Sequence, residues 1–91
     1  MTTNITWDRY RAHPRYNKAN YRLVADGEPT STWVNWCGHP TANRPYYIRH
    51  KGEMCGTHPT VAAAKEFAEA LFTGRCTIEP GGEIIWQEDR S

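Results

Sequence analysis

The sequence predicts a small α+β domain: an antiparallel sheet of four to six short strands with one amphipathic helix packed on one face. After Thr60, apolar residues recur at steps of three and four while charged residues fall on the other side, which is typical of a helix. Short segments of alternating apolar and polar residues, separated by Gly and Pro, flank this stretch and are typical of strands. Because a helix of about thirteen residues is marginal alone in water, it must pack on those strands.

The predicted helix covers residues 61–72. Thr60 suits the N-cap position, since its hydroxyl can accept a hydrogen bond from an unpaired amide of the first turn. Gly74 suits the left-handed position that commonly ends a helix. Lys65, Glu66 and Glu69 are expected to face solvent.

Six segments are predicted as strands. They comprise residues 21–25, 32–37, 46–50, 53–57, 76–79 and 83–87. Asp26-Gly27 and Lys51-Gly52 are predicted turns, and Pro80-Gly81 is expected at the centre of a type II turn, in which glycine supplies the positive φ. Residues 28–31 and 38–45 are predicted loops.

The 91 residues are enough for one small core, which we assign to a single domain over residues 21–87. Residues 1–20 are predicted to form an irregular basic and aromatic arm, with at most one helical turn near residues 5–11. Pro14 disfavours a helix through His13, because the residue before proline prefers an extended backbone. Residues 88–91 are expected to be a frayed tail.

Composition favours a globular protein, with 38% hydrophobic residues, 23% charged residues and a net charge of +1. The sequence contains no apolar run of membrane-spanning length and no signal pattern at its start. Cys37, Cys55 and Cys76 are an odd number at uneven spacing, which does not indicate a disulfide framework. We therefore expect no membrane association and a reducing, cytoplasmic setting.

A zinc site is one interpretation of Cys37, His39, Cys55 and His58, since thiolate and imidazole ligands suit that ion. The gap between Cys37 and His39 is shorter than the usual ligand spacing. The alternative, which we favour, is that the thiols are small buried groups and the imidazoles make local hydrogen bonds. We therefore predict no cofactor and no metal ligand.

Catalysis is not predicted. Cys55 with His58, or Cys37 with His39, would be nucleophile and base, but neither pair has an orienting carboxylate at an informative spacing. The Pro-Gly-Gly run at residues 80–82 joins two strands rather than opening a helix, so it is not a phosphate-binding loop.

Aromatic and basic residues alternate in two stretches, at residues 7–18 and 43–51. Tyr, Trp and Arg dominate the energetics of protein interfaces, and aromatic side chains with arginine also hold single-stranded nucleic acid. Because the net charge is only +1, a protein partner is favoured and nucleic acid is the second choice. The predicted partner-binding residues are Arg44, Tyr47, Arg49, Lys51, Arg11 and Arg15.

The run CGHPTANRPYYI at residues 37–48, followed by TVAAAKEFAEAL at residues 60–71, resembles a group of small uncharacterised phage and prophage proteins. More loosely, a hairpin followed by one helix and further strands is similar to several anti-CRISPR proteins, which bind host defence machinery. The resemblance implies a phage or mobile-element inhibitor that acts on a host protein complex in the bacterial cytoplasm, such as an anti-CRISPR or other anti-defence protein.

Two other functions stay open at this point. One is a small nucleic-acid-binding regulator that uses the same basic and aromatic residues, and the other is a zinc-stapled interaction module. Edge strands on so small a sheet would also permit a homodimer, although nothing in the sequence selects one. With four tryptophans in so short a chain, we expect at least one of them in an interface.

Overall fold

The computed structural model describes residues 3–86, which form seven strands and one helix. The elements are β1 Ile5–Arg11, β2 Ala19–Ala25, β3 Glu28–Trp36, β4 Tyr46–His50, β5 Glu53–His58, α1 Val61–Thr73, β6 Cys76–Ile78 and β7 Ile84–Trp86. Strands β1 to β5 make one antiparallel sheet in chain order, and β6 pairs with β7 in a second sheet. The predicted α+β class is confirmed, with one strand more than expected. Residue 87 of the last predicted strand and the predicted tail at 88–91 lie outside the described residues.

Strand β1 corrects the prediction of an irregular arm with a helical turn. All seven of its residues pair with β2, from Ile5 opposite Ala25 to Arg11 opposite Ala19. The residues of β1 alternate only weakly in polarity, because this edge strand is mostly exposed on both sides. Its structure is therefore determined by backbone hydrogen bonds to β2, which local pattern does not reveal. The charged side chains on β1 are a common protection of an edge strand.

Two hairpin turns have the predicted positions, and the first of them shows why residues 28–31 are not a loop. Asp26 and Gly27 have φ values of 51° and 82°, and Lys51 and Gly52 have 54° and 84°. Two successive positive φ values match the twist of the paired strands. A two-residue turn leaves Glu28 directly opposite Ala25, so residues 28–31 continue as strand β3 rather than forming the predicted loop.

The β6–β7 turn differs from the predicted type II turn. Gly82, rather than Gly81, has the positive φ, at 88°. The Gly82 amide donates to the Glu79 carbonyl at 2.8 Å, and the Glu79 amide donates to the Glu83 carbonyl at 2.8 Å. This is the three-residue hairpin in which a type I turn precedes one left-handed residue. The extra glycine in the Pro-Gly-Gly run makes that longer connection available.

Helix α1 begins and ends as predicted. The Thr60 hydroxyl accepts a hydrogen bond from the Ala63 amide at 3.1 Å. At the other end Gly74 adopts φ 82°, and the Arg75 amide donates to the Ala70 carbonyl at 2.8 Å, which is the Schellman pattern. The single helix within residues 3–86 has 13 residues, which is too short to cross a membrane.

The core lies between α1 and one face of the five-stranded sheet. Val34 and Ile48, paired across β3 and β4, are completely buried beneath the helix. The helix contributes small and large apolar side chains to the same cluster, among them Ala64, Phe67 and Leu71. Packing of this apolar face supplies most of the stability of a helix this short.

The outward side of α1 is less exposed than predicted. Glu69 accepts a hydrogen bond from the Trp7 indole, with 3.0 Å between Nε1 and Oε2. The Lys65 ammonium lies 4.1 Å from the centre of the Tyr21 ring and 5.5 Å from that of Trp7. Of the three charged residues expected in solvent, only Glu66 is exposed. Through these contacts α1 reaches β1 at the edge of the sheet and reinforces its pairing with β2.

Replacing Leu71 with Asp should unfold the domain. Leu71 is 8% exposed within the core, and burying an unpaired carboxylate there costs several kcal/mol, which is comparable to the whole stability of a small domain. Urea denaturation followed by circular dichroism measures the loss. The matched control is Glu66→Ala on the exposed side of the same helix, which should change the free energy of unfolding by no more than about 0.5 kcal/mol. An unchanged midpoint for Leu71→Asp would contradict the packing described here.

Candidate partner-binding surface

One residue from each strand of the five-stranded sheet lines up across the face that α1 does not cover, here called the open face. Asp8 pairs with Arg22, Arg22 with Trp33, Trp33 with Arg49, and Arg49 with Met54. Because directly paired residues project from the same face, the five side chains form one continuous line, the cross-strand row. Neighbouring members are about 5 Å apart along this line, which is the spacing of adjacent strands.

Trp33 is the centre of the cross-strand row. The Arg22 guanidinium carbon lies 5.1 Å from the centre of the Trp33 ring, and the Tyr10 ring lies 5.4 Å away at a tilt of 41°. Arg22 is held in this position because its Nε donates to the Thr30 carbonyl at 2.8 Å. The indole is half-buried between these neighbours and keeps part of its surface available. An arginine over an indole face is a favourable cation–π arrangement.

A second line of polar and aromatic residues runs beside the first. Tyr10 pairs with Asn20 at one end, and Tyr47 pairs with Asn35 and Thr57 at the other. Tyr10 is 44% exposed, while Met54 in the cross-strand row is 62% exposed. The open face therefore combines exposed aromatic and thioether surface with two arginines, which is the composition of interface hot spots rather than of an ordinary solvated face.

The six residues predicted to bind a partner do not form one cluster. Tyr47 and Arg49 share the open face on β4. Arg44 lies in the preceding loop, where its guanidinium donates to the Thr57 hydroxyl at 3.2 Å and to the Thr57 carbonyl at 2.6 Å. Lys51 occupies the β4–β5 turn, at the opposite end of the strand. Of the hairpin residues, two are thus on the open face and two are at the ends of the sheet.

Arg11 and Arg15 lie apart from that group. Arg11 is four residues after Trp7 along β1 and so shares its side, the side that faces the helix. Arg15 is in the β1–β2 loop, whose His13 and Tyr16 rings lie 6.0 and 5.5 Å from the buried Trp36 ring. This loop therefore folds toward the helix side of the sheet, away from the cross-strand row.

Sequence reasoning missed Arg22, Trp33, Asp8, Tyr10 and Met54 as members of the surface. The alternation in β3 does place Trp33 opposite Val34, which was the one available signal. The sequence alone does not give the register between strands. The cross-strand row forms only when the five strands are aligned in that register. The four tryptophans divide between Trp36 in the core, Trp7 against the helix, Trp33 on the open face and Trp86, which is 51% exposed.

The residues considered for zinc are not brought together. Among residues 3–86, no three His, Cys, Asp or Glu side chains lie close enough to hold a metal ion. Cys55 is buried in the core, where its thiol donates to the Glu53 carbonyl at 3.4 Å. Cys37 follows β3, and its thiol is 3.9 Å from the His39 carbonyl. The structure thus gives no support to the zinc-stapled module.

A cavity of about 430 Å³ lies between the β4–β5 turn, the end of α1 and β6. Two free thiols, Cys55 and Cys76, line it together with apolar side chains that include Leu71 and Ile78. Burial raises the pKa of both thiols, which keeps them protonated at neutral pH. A protonated thiol is a weak nucleophile, so this cavity lacks an activated thiolate.

Two imidazoles are held neutral by the fold. Burial lowers the pKa of His50, the nearby Lys51 charge lowers it further, and its Nδ1 lies 2.8 Å from the Thr32 hydroxyl. Burial also lowers the pKa of His58, with a smaller effect from Arg44, and the ring of His58 lies 5.2 Å from that of Phe67. Both rings therefore serve as packed, neutral groups near pH 7.

Comparison with protein-family models, with curated proteins and with solved structures finds no match to this chain. The resemblance of the CGHPTA and PYY segments to phage proteins accordingly stays a prediction from the sequence. The same holds for the looser likeness to anti-CRISPR proteins.

Stability should fall as the pH is lowered from about 6.5, because the unfolded chain binds protons at His50 and His58 more readily than the folded chain does. The contribution is fully present above the unfolded pKa and is lost as the pH falls through the lowered folded values. Melting temperatures between pH 7.5 and 5 for the wild type and for His50→Asn with His58→Asn test this. The double variant should show a shallower decline, and equal declines would contradict the assignment.

Alkylation should distinguish the three thiols in the native protein. Cys37 is partly exposed, whereas Cys55 and Cys76 are buried and have a raised pKa. Iodoacetamide at neutral pH should therefore modify Cys37 first and the other two only after denaturation, as read by mass spectrometry of peptides. Native labelling of Cys76 at the rate of Cys37 would show that the cavity region opens freely.

Proposed function

We propose that this protein is a non-enzymatic binding protein that holds a partner protein on the open face of its sheet. The observation that carries the proposal is the cross-strand row, with Trp33 between Arg22 and Arg49. These side chains sit on strands, which position them more rigidly than a loop would. A rigid aromatic centre flanked by arginines is the composition that dominates measured binding energies in protein interfaces.

The balance of charge on this face favours protein over nucleic acid. The row carries two arginines and one carboxylate, Asp8, so it could neutralise few phosphates. Met54 and Tyr10 add exposed apolar and aromatic surface beside the charges. Such a mixture suits the partly apolar centre of a protein interface.

The two buried thiols are poorly suited to covalent catalysis, because burial raises the pKa of each. Cys55 and Cys76 are protonated, and they line a cavity bounded by the helix end and β6, separate from the cross-strand row. The resemblance of the sequence to phage and prophage proteins suggests a biological role for this binding protein. It is an inhibitor encoded by a phage or mobile element. It acts in the bacterial cytoplasm and blocks a host complex, such as a defence complex. That setting adds a biological role to the binding surface and does not alter its chemistry.

Single-stranded nucleic acid is the second candidate, and one observation favours it. An indole flanked by two guanidinium groups on an open sheet can stack a base while the arginines contact phosphates. Binding of that kind weakens steeply with added salt, because counterions released from the phosphates contribute much of the affinity. A protein interface centred on Trp33 should depend much less on salt.

The proposal is tested with the double variant Tyr47→Ala, Arg49→Ala. The tagged protein is used to capture partners from bacterial lysate at two salt concentrations, with proteins identified by mass spectrometry and nucleic acid by absorbance. The variant should lose the captured protein, with affinity reduced about tenfold or more, because residues of hot spots typically contribute this much.

The matched control is Arg11→Ala, Arg15→Ala, which removes two basic residues on the other side of the sheet. This variant should retain the partner, and both variants should keep the wild-type melting temperature. A partner that is lost from the control and kept by the first variant would place the interface elsewhere. Nucleic acid that is captured at low salt only, without a protein, would replace the proposal with the second candidate.

A further inference from the structure

We propose that the segment of the partner that contacts the open face is acidic, with an apolar side chain seated on Trp33 and carboxylates on either side bound by Arg22 and Arg49. This inference rests on the proposed function and specifies the chemistry of the partner. It commits to a protein segment rather than to nucleic acid or to a second copy of this chain.

The charges of the row determine which groups can approach it. Arg22 and Arg49 lie on either side of Trp33, one strand away in each direction. A guanidinium that loses water in an interface must be compensated, and a carboxylate does so with two parallel hydrogen bonds. A basic partner would instead bury like charges against each other, which is strongly unfavourable.

Arg22 is already ordered before a partner binds. Its Nε is occupied by the Thr30 carbonyl, and its guanidinium carbon lies over the Trp33 ring. The fixed Nε leaves the terminal amino groups to receive a carboxylate, and little side-chain entropy remains to be lost there. The exposed part of the indole beside it accepts an apolar side chain, with Tyr10 packed against the same ring.

The spacing of the row limits the partner sequence. The two arginines are two strands apart, so their backbone positions are separated by about 10 Å. Carboxylates about two turns apart on one side of a helix span that distance. In an extended chain, where alternate side chains share a side, carboxylates four residues apart with the apolar residue midway between them are about 13 Å apart, and the flexible arginine side chains take up the difference. Asp8 is the last residue at one end of the row, next to Arg22. Its negative charge would repel a further acidic residue of the partner at that end. At the other end, Met54 offers a second apolar contact.

The experiment is a selection from a displayed library of random peptides of about a dozen residues, a length that spans the row in helical or extended form. Wild-type protein, Arg49→Glu and the control Arg15→Glu are used as separate baits. Both substitutions change the charge equally, but only Arg49 belongs to the row. Melting temperatures confirm that all three baits are folded.

Peptides selected by the wild type and by Arg15→Glu should be enriched several-fold in Asp and Glu on both sides of an apolar residue. Selection on Arg49→Glu should lose one of the two acidic positions or replace it with Lys or Arg. The absence of acidic enrichment on the wild type, or the same peptides on wild type and Arg49→Glu, would overturn the inference. A labelled poly-dT strand of about twelve nucleotides is measured in parallel. Binding of that strand that is lost in Arg49→Glu alone would assign the row to nucleic acid and overturn it too.

Failure here is distinguishable from failure of the proposed function. If Tyr47→Ala, Arg49→Ala still loses a captured protein while the selected peptides show no acidic preference, the open face binds a partner of different chemistry. If neither experiment responds to Arg49, the open face is not the binding surface.

Discussion

Helix α1 buries the side of the sheet that carries Val34 and Ile48, and a helix of 13 residues cannot also cover the other side. A single helix on a five-stranded sheet therefore leaves one face to be stabilised by its own cross-strand pairs. Arg22, Trp33 and Tyr10 satisfy that need among themselves, through a cation–π contact and ring packing. These contacts stabilise the open face in water. They also hold its aromatic and arginine side chains in fixed positions, which suits a surface for a partner.

The helix also contacts the edge of the sheet. The Glu69 carboxylate accepts the Trp7 indole hydrogen, and Lys65 lies between the rings of Trp7 and Tyr21. These contacts add a direct link between α1 and β1, an edge strand whose other attachment is its seven residue pairs with β2. Asp8 and Tyr10 lie on the opposite side of β1 from Trp7, so these contacts reinforce the pairing with β2 that places both residues on the open face.

Features with a local cause were predictable from the sequence. Thr60 and Gly74 marked the helix ends, and Asp26-Gly27 and Lys51-Gly52 marked two hairpins. Strand β1 was not predictable, because its structure depends on hydrogen bonds to β2 rather than on its own pattern. The same reason applies to the open face: Tyr47 and Arg49 could be placed side by side from their own strand, whereas Arg22 and Trp33 join them only through the register of three strands.

The cross-strand row takes a single side chain from each of five strands, and each of these side chains projects away from the core. Under the proposed function, substitutions on one strand at a time would change what the row recognises, while Val34, Ile48 and the helix keep the backbone unchanged. A hydrophobic face would be preserved and an outer face rewritten, so related chains could share this architecture and recognise unrelated partners. In a binding protein whose target changes, this separation of the core from the contact surface would allow a new specificity to arise from few substitutions, none of them in the core.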